Sequence, residues 1–189
     1  MRRPEPMLLL AAAGVLSACT IQRERPESAA IAPPAPQCAT AEHRQFDFWV
    51  GTWTVTTPDG RAAGTNRIER VLGGCALLEQ WSGAGGSRGT SLNYWDAGER
   101  AWFQSWIDDQ GQPLRIRGGM REGRMVLEGE SADTGGVVRH RIAWTPLAEG
   151  RLRQHWERSD DGGRTWTTSF DGVYAREAAN SRDGSDGLQ

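Results

Sequence analysis

The chain has 189 residues, 38% of them hydrophobic and 24% charged, which is material for one small domain and leaves no room for a second. Its 22 basic residues, all arginine, nearly balance 24 acidic ones, and a net charge of -2 removes the electrostatic drive for nucleic-acid binding. No apolar run reaches the ~18 residues of a membrane-spanning helix, so attachment to a membrane has to come through lipid or protein. Nine tryptophans against two tyrosines and four phenylalanines point to a core or site rich in large flat side chains.

At the N-terminus, Arg2 and Arg3 precede an apolar stretch from Met7 to Leu16, followed by Ser17, Ala18 and Cys19. That order of charged, apolar and small residues is a secretory signal over 1–18. Leu16 to Cys19 resembles the lipobox of bacterial lipoproteins, which implies that the Cys19 sulfur carries diacylglycerol, whose two acyl chains anchor the protein stably where one would not. Ordinary cleavage beside an incidental cysteine is the alternative. Thr20 follows Cys19 where an aspartate would imply inner-membrane retention, so the resemblance implies an outer-membrane lipoprotein facing the periplasm. Residues 19–41 carry Pro26, Pro33, Pro34 and Pro36 among alanines and read as an extended tether. Residues 178–189, rich in Ser, Asp and Gly, read as a disordered tail, leaving 42–177 as the folded body.

With Cys19 taken by lipid, Cys38 and Cys75 remain as a pair in an oxidising compartment. A disulfide between them is expected, closing a loop of about 37 residues worth roughly 4 kcal/mol. Two free thiols are the alternative. There is no C-x-x-C pair and His43, His140 and His155 are widely scattered, so no metal site is expected.

Turn signals from Pro58-Asp59-Gly60 to Asp160–Gly163 divide the body into segments with period-two alternation. Ten strands are expected, approximately at 48–56, 64–71, 75–82, 90–95, 101–107, 114–118, 125–130, 137–144, 152–158 and 165–174. Short connections favour an up-and-down meander, and a meander of that size hides its edges best by closing. The fold class expected is all-β, an antiparallel up-and-down closed barrel of about ten strands, wide enough to keep a cavity.

Several segments together carry a wider resemblance: Phe46-Asp47-Phe48-Trp49-Val50-Gly51-Thr52-Trp53, Gly73-Gly74-Cys75-Ala76-Leu77-Leu78-Glu79, the alternation of Trp102, Gln104, Trp106 and Asp108, Arg153-Gln154-His155-Trp156-Glu157, and Phe170-Asp171-Gly172-Val173-Tyr174. As a set they resemble the bacterial domain-of-unknown-function family 1579 over nearly the whole body. Gly51-x-Trp53 is similar to the G-x-W near the start of calycin barrels, the superfamily of lipocalins and nitrobindin-like haem proteins, which implies a calycin-like barrel. Likeness of fold does not transfer a function.

On the fifth expected strand, Ala101, Phe103, Ser105 and Ile107 share one face, and Trp102, Gln104, Trp106 and Asp108 the other. Glu79 with Trp81, and Asn93 with Trp95, repeat the pairing of a polar group with an indole. Apolar walls with a few placed polar groups suit a ligand pocket, so Glu79, Trp81, Asn93, Gln104, Trp106 and Asp108 are the expected ligand-binding residues. The alternative puts these tryptophans outside and fills the barrel with the aliphatic face. Trp49 and Trp53 read as plain core or barrel-end packing.

Because nitrobindin-like barrels hold haem through one histidine, His155 or His140 is an optional axial ligand, although neither sits in a motif that demands it and no cofactor is expected. Ser159, Asp161, Gly163, Thr165 and Trp166 match a single S-x-D-x-G-x-T-W Asp-box, read here as a hairpin turn because a propeller would repeat it. No G-x-S-x-G, H-E-x-x-H or P-loop motif occurs, so no catalytic residue is assigned. Glu79, Asp108, Glu128, Glu130 and Glu157 are the carboxylates available for acid and base work. The expected function is a lipid-anchored envelope protein binding a small, partly apolar ligand. The alternatives are an enzyme acting on an envelope glycan or lipid, and a structural or interaction module with a filled barrel.

Overall fold

The computed structural model describes residues 38–177. The signal segment with Cys19, most of the tether and the tail lie outside these residues. Ten antiparallel strands close into one barrel: β1 (Gly51–Thr56), β2 (Ala62–Val71), β3 (Ala76–Gly83), β4 (Arg88–Asp96), β5 (Ala101–Asp108), β6 (Pro113–Arg121), β7 (Arg124–Asp133), β8 (Gly136–Pro146), β9 (Leu152–Ser159) and β10 (Thr167–Arg176). Each strand pairs with its neighbours in sequence, and β1 pairs with β10, with Val55 opposite Tyr174, so no edge is left open. Among the described residues no helix is long and apolar enough to cross a membrane.

The expected strands are all present, with shifted bounds. The first begins at Gly51 rather than at Phe48, because residues Asp47–Trp49 form a 3-10 turn. Phe46 and Trp49, three apart, are both fully buried, a helical spacing that alternation could not accommodate. The last begins at Thr167 rather than at 165, because Thr165 is bound into the preceding turn: Asp161 Oδ1 accepts the N–H groups of Arg164 and Thr165, each at 2.9 Å, and the Ser159 hydroxyl at 2.8 Å. Those bonds hold the Asp161 carboxyl well below the usual carboxylate range, the Thr165 backbone bond contributing most. The Asp-box is therefore a hairpin device here.

The N-terminal segment closes one end of the barrel. A helical turn, α1 (Ala41–Arg44), leads into the 3-10 turn, and Phe46 stacks on Trp49 at 4.7 Å between centroids, with Trp102 and Trp144 meeting it edge-on. Trp53 donates from Nε1 to the Trp49 carbonyl at 2.9 Å, and the Arg176 guanidinium covers its ring at 4.3 Å while donating to the Val50 carbonyl. The Cys38–Cys75 disulfide, with Cα atoms 4.9 Å apart, ties the segment to the link between β2 and β3. Cys38 thus belongs to the folded body and not to a free tether.

The closed half of the barrel is filled with apolar side chains, and ion pairs cross between strands on the exterior. Trp53, Ile68, Leu77, Trp102, Met125, Leu127, Trp144 and Leu152 fill the closed half. Outside, Arg141 pairs with Glu128, Arg139 with Glu130 and Arg153 with Asp171 across neighbouring strands. Such exposed pairs contribute little to stability.

Candidate functional site

Above the closed end, a layer of polar side chains crosses the lumen. Glu79 on β3, 4% exposed, accepts from Asn66 Nδ2 of β2 at 2.8 Å and from the Ser91 hydroxyl of β4 at 2.5 Å. Asn93 donates to Ser91 Oγ and Gln104 Nε2 donates to Asn93 Oδ1, both at 2.8 Å. On the other flank, the Tyr174 hydroxyl of β10 donates to Gln154 Oε1 of β9. Asn66 Nδ2 approaches the Tyr174 oxygen at 3.4 Å and joins the two flanks.

Both groups that ionise in this layer are pushed toward their neutral forms by burial. Loss of solvent lifts the Glu79 carboxyl to about 7 against the opposing bonds from Ser91 and Asn66. Burial, and then the nearby Glu79 charge, raise the Tyr174 phenol. Glu79 makes no ion pair with any described residue.

Toward the open end, four aromatic rings stand over this layer. Trp81 meets Phe170 edge-on at 5.7 Å, Trp156 lies opposite Phe170 in the strand register, and Trp106 lies opposite Ser91 and Leu114. Glycines on adjoining strands make space for two of them: a Cβ on Gly64 would stand 2.9 Å from Trp81, and one on Gly89 2.1 Å from Trp106. Between rings and polar layer lies a cavity of about 320 Å³, lined also by Glu79, Gln104, Gln154, Tyr174, Leu114 and Ile142. That volume falls at the small end of the ~300–1,000 Å³ range of ligand cavities. Gln104 Oε1 and Gln154 Nε2 have no hydrogen-bond partner among the described residues, although the two side chains are only 3% and 9% exposed.

Of the six expected ligand-binding residues, Glu79, Trp81, Gln104 and Trp106 meet at this cavity. Asn93, fully buried, stands behind Gln104 and off the wall. Asp108 lies at the rim, where its Oδ1 accepts the N–H groups of Gln110 and Gln112 in the turn after β5 and where it lines an adjoining recess with Glu130 and His140. Asn66, Ser91, Gln154, Trp156, Phe170 and Tyr174 were not anticipated. Inward alternation with buried neighbours on their own strands was the only signal for them.

His140 is on the lumen side, but both ring nitrogens are engaged. Nδ1 accepts from Trp156 Nε1 at 3.1 Å, which places the proton on Nε2, 2.8 Å from Ser131 Oγ. His155 is on the outer face against Thr168, with Glu157 4.0 Å away. Axial ligation by His140 would break its bond to Trp156, and His155 does not reach the lumen. Among the described residues no cluster of three or more His, Cys, Asp or Glu could hold a metal ion. Glu128 and Glu157 lie outside the cavity, and Glu79 is the one carboxylate among its lining residues.

No protein-family model matches the chain, and no curated protein matches it.

Proposed function

We propose that this chain is a lipid-anchored envelope protein, carried by Cys19 on the periplasmic side of the outer membrane, whose calycin-like barrel binds a small, partly apolar molecule. The observation that carries the binding reading is the aromatic-walled cavity over a buried layer from which Gln104 Oε1 and Gln154 Nε2 are left without partners. Unpartnered polar atoms at the base of an apolar cavity are costly unless water or a ligand meets them. The small molecule is the partner this reading assigns; the membrane contacts only the lipid, and a net charge of -2 gives nucleic acid no electrostatic drive to bind. Hydrolysis of a glycan or lipid by paired carboxylates lacks a second carboxylate on the wall.

Native mass spectrometry of the full chain isolated from its envelope tests the binding reading. A bound small molecule that is lost on denaturation is expected. An empty protein, together with tryptophan fluorescence that no member of an amphiphile panel perturbs, would overturn it. For anchoring, Cys19→Ser is expected to accumulate as an unprocessed precursor without lipid label.

A further inference from the structure

We infer that the cavity takes a small organic cation, a quaternary or protonated amine on an apolar body, seated among the indoles with its charge toward Glu79. This rests on the binding reading and narrows it to a chemical class. The first ground is the charge of the wall. Every basic residue of the chain is an arginine, and none of them lines the cavity, whereas Glu79 does.

The second ground is how Glu79 is held. Its oxygens receive two neutral donors, Asn66 and Ser91, although a carboxylate accepts about four hydrogen bonds, and no described cation reaches it. A carboxylate kept from water without a countercharge is an unfavourable arrangement that a bound cation relieves. The third ground is the rings. Trp81, Trp106, Trp156 and Phe170 present aromatic surface, whose negative faces attract ammonium groups, and Leu114 and Ile142 accept an apolar body. Inside the cavity an anion would meet Glu79 and the rings with no positive group on the wall, since Arg115 and Arg158 stand in the adjoining recess.

The groups facing Glu79 are Asn66 from β2, Ser91 from β4 and Tyr174 from β10, with Gln104 and Gln154 on the same wall. None of these carries charge at neutral pH. At the rim, His140 behind Trp156 and, in the adjoining recess, Asp108, Arg115, Glu130 and Arg158, the last paired with Asp160, are the other charged or titratable groups. Because Glu79 titrates near 7, a quaternary ammonium, which has no proton of its own, should bind more tightly as the carboxyl ionises.

The test is calorimetric titration of the full chain with benzyltrimethylammonium, its uncharged isostere neopentylbenzene, and phenylacetate. At pH 8 the cation is expected to bind about tenfold or more tighter than the isostere, with phenylacetate weakest. That preference should shrink toward pH 5, and Glu79→Gln should remove its pH dependence. Equal or tighter binding of the isostere or of phenylacetate would overturn the cation while leaving a binding cavity in place. A pH dependence that persists in Glu79→Gln would also overturn it, by moving the responsible charge to the rim. If Glu79→Gln fails to fold, the wild-type ratio of cation to isostere and its pH dependence decide the matter. Silence of all three probes and of the wider amphiphile panel would defeat the binding reading itself.

Discussion

The Trp106 ring occupies the place a side chain on Gly89 would take. A Cβ there would lie 2.1 Å from Trp106 Cζ2 and 2.3 Å from Cη2. Gly89 on β4 faces Asp108 in the register, two residues beyond the Ser91–Trp106 pair and on the same face, so a bare backbone lets the indole lean across the neighbouring strand. Gly89→Ala is therefore expected to push the ring into the cavity. Overpacking of this kind costs ~1–3 kcal/mol, and the altered ring environment should be visible as a change in tryptophan fluorescence. An unchanged spectrum together with unchanged ligand response would show that the ring does not rest there.

Trp106 and Trp144 should respond differently to truncation. Trp144 is fully buried in the closed end against Phe46 and Trp49, and removing a core Trp costs ~3–5 kcal/mol. Trp106 already borders the cavity, so Trp106→Ala has fewer packed atoms to lose and should cost ~2 kcal/mol or less while abolishing the fluorescence response to ligand. Equal destabilisation in urea unfolding of the two variants would place Trp106 in a filled core.

Stability should depend on pH through Glu79 in a definite direction. Its carboxyl titrates at about 7 in the folded chain against an ordinary value of 4.5. A folded pKa raised above the unfolded one means that the native state binds the proton more tightly. This contribution is fully present below about pH 4.5 and is lost as pH rises through about 7, with a magnitude of roughly 3 kcal/mol. Asp161, Glu128 and Asp171 shift the opposite way, and what they contribute is lost only as pH falls through their lowered values. The gap in melting temperature between wild type and Glu79→Gln should therefore move in favour of wild type from pH 8 to pH 5.5. A gap that stays constant over that range would mean that Glu79 has an ordinary pKa.

Loss of the Cys38–Cys75 disulfide should loosen the closed end before the open one. The bond spans a sequence separation of 37, for which loop-closure entropy gives roughly 4 kcal/mol. The paired variant Cys38→Ser with Cys75→Ser is expected to melt earlier, with hydrogen exchange accelerated around Phe46 to Trp49. Exchange that instead rises first at β4 and β5 near Trp106 would argue against a role in holding the plug.

The strands were legible because alternation and turn residues are local properties, and a chain of ten such segments with short links has few ways to hide its edges. The face of β5 that carries Trp102, Gln104 and Trp106 could be recognised from period two alone, and the cysteine pair followed from the assignment of Cys19. Height along the barrel was not encoded in that period. Trp102 and Trp106 share one face of one strand, separated by about 13 Å at ~3.3 Å per residue, yet the first packs against the plug residue Phe46 and the second borders the cavity. The 3-10 spacing of Phe46 and Trp49 and the closure of β1 on β10 decided which was which. The polar layer depended on the same closure, since Asn66 reaches Tyr174 across 108 residues. A local pattern specifies which way a side chain faces, while partners brought from distant strands are set only when the register of the closed barrel is complete.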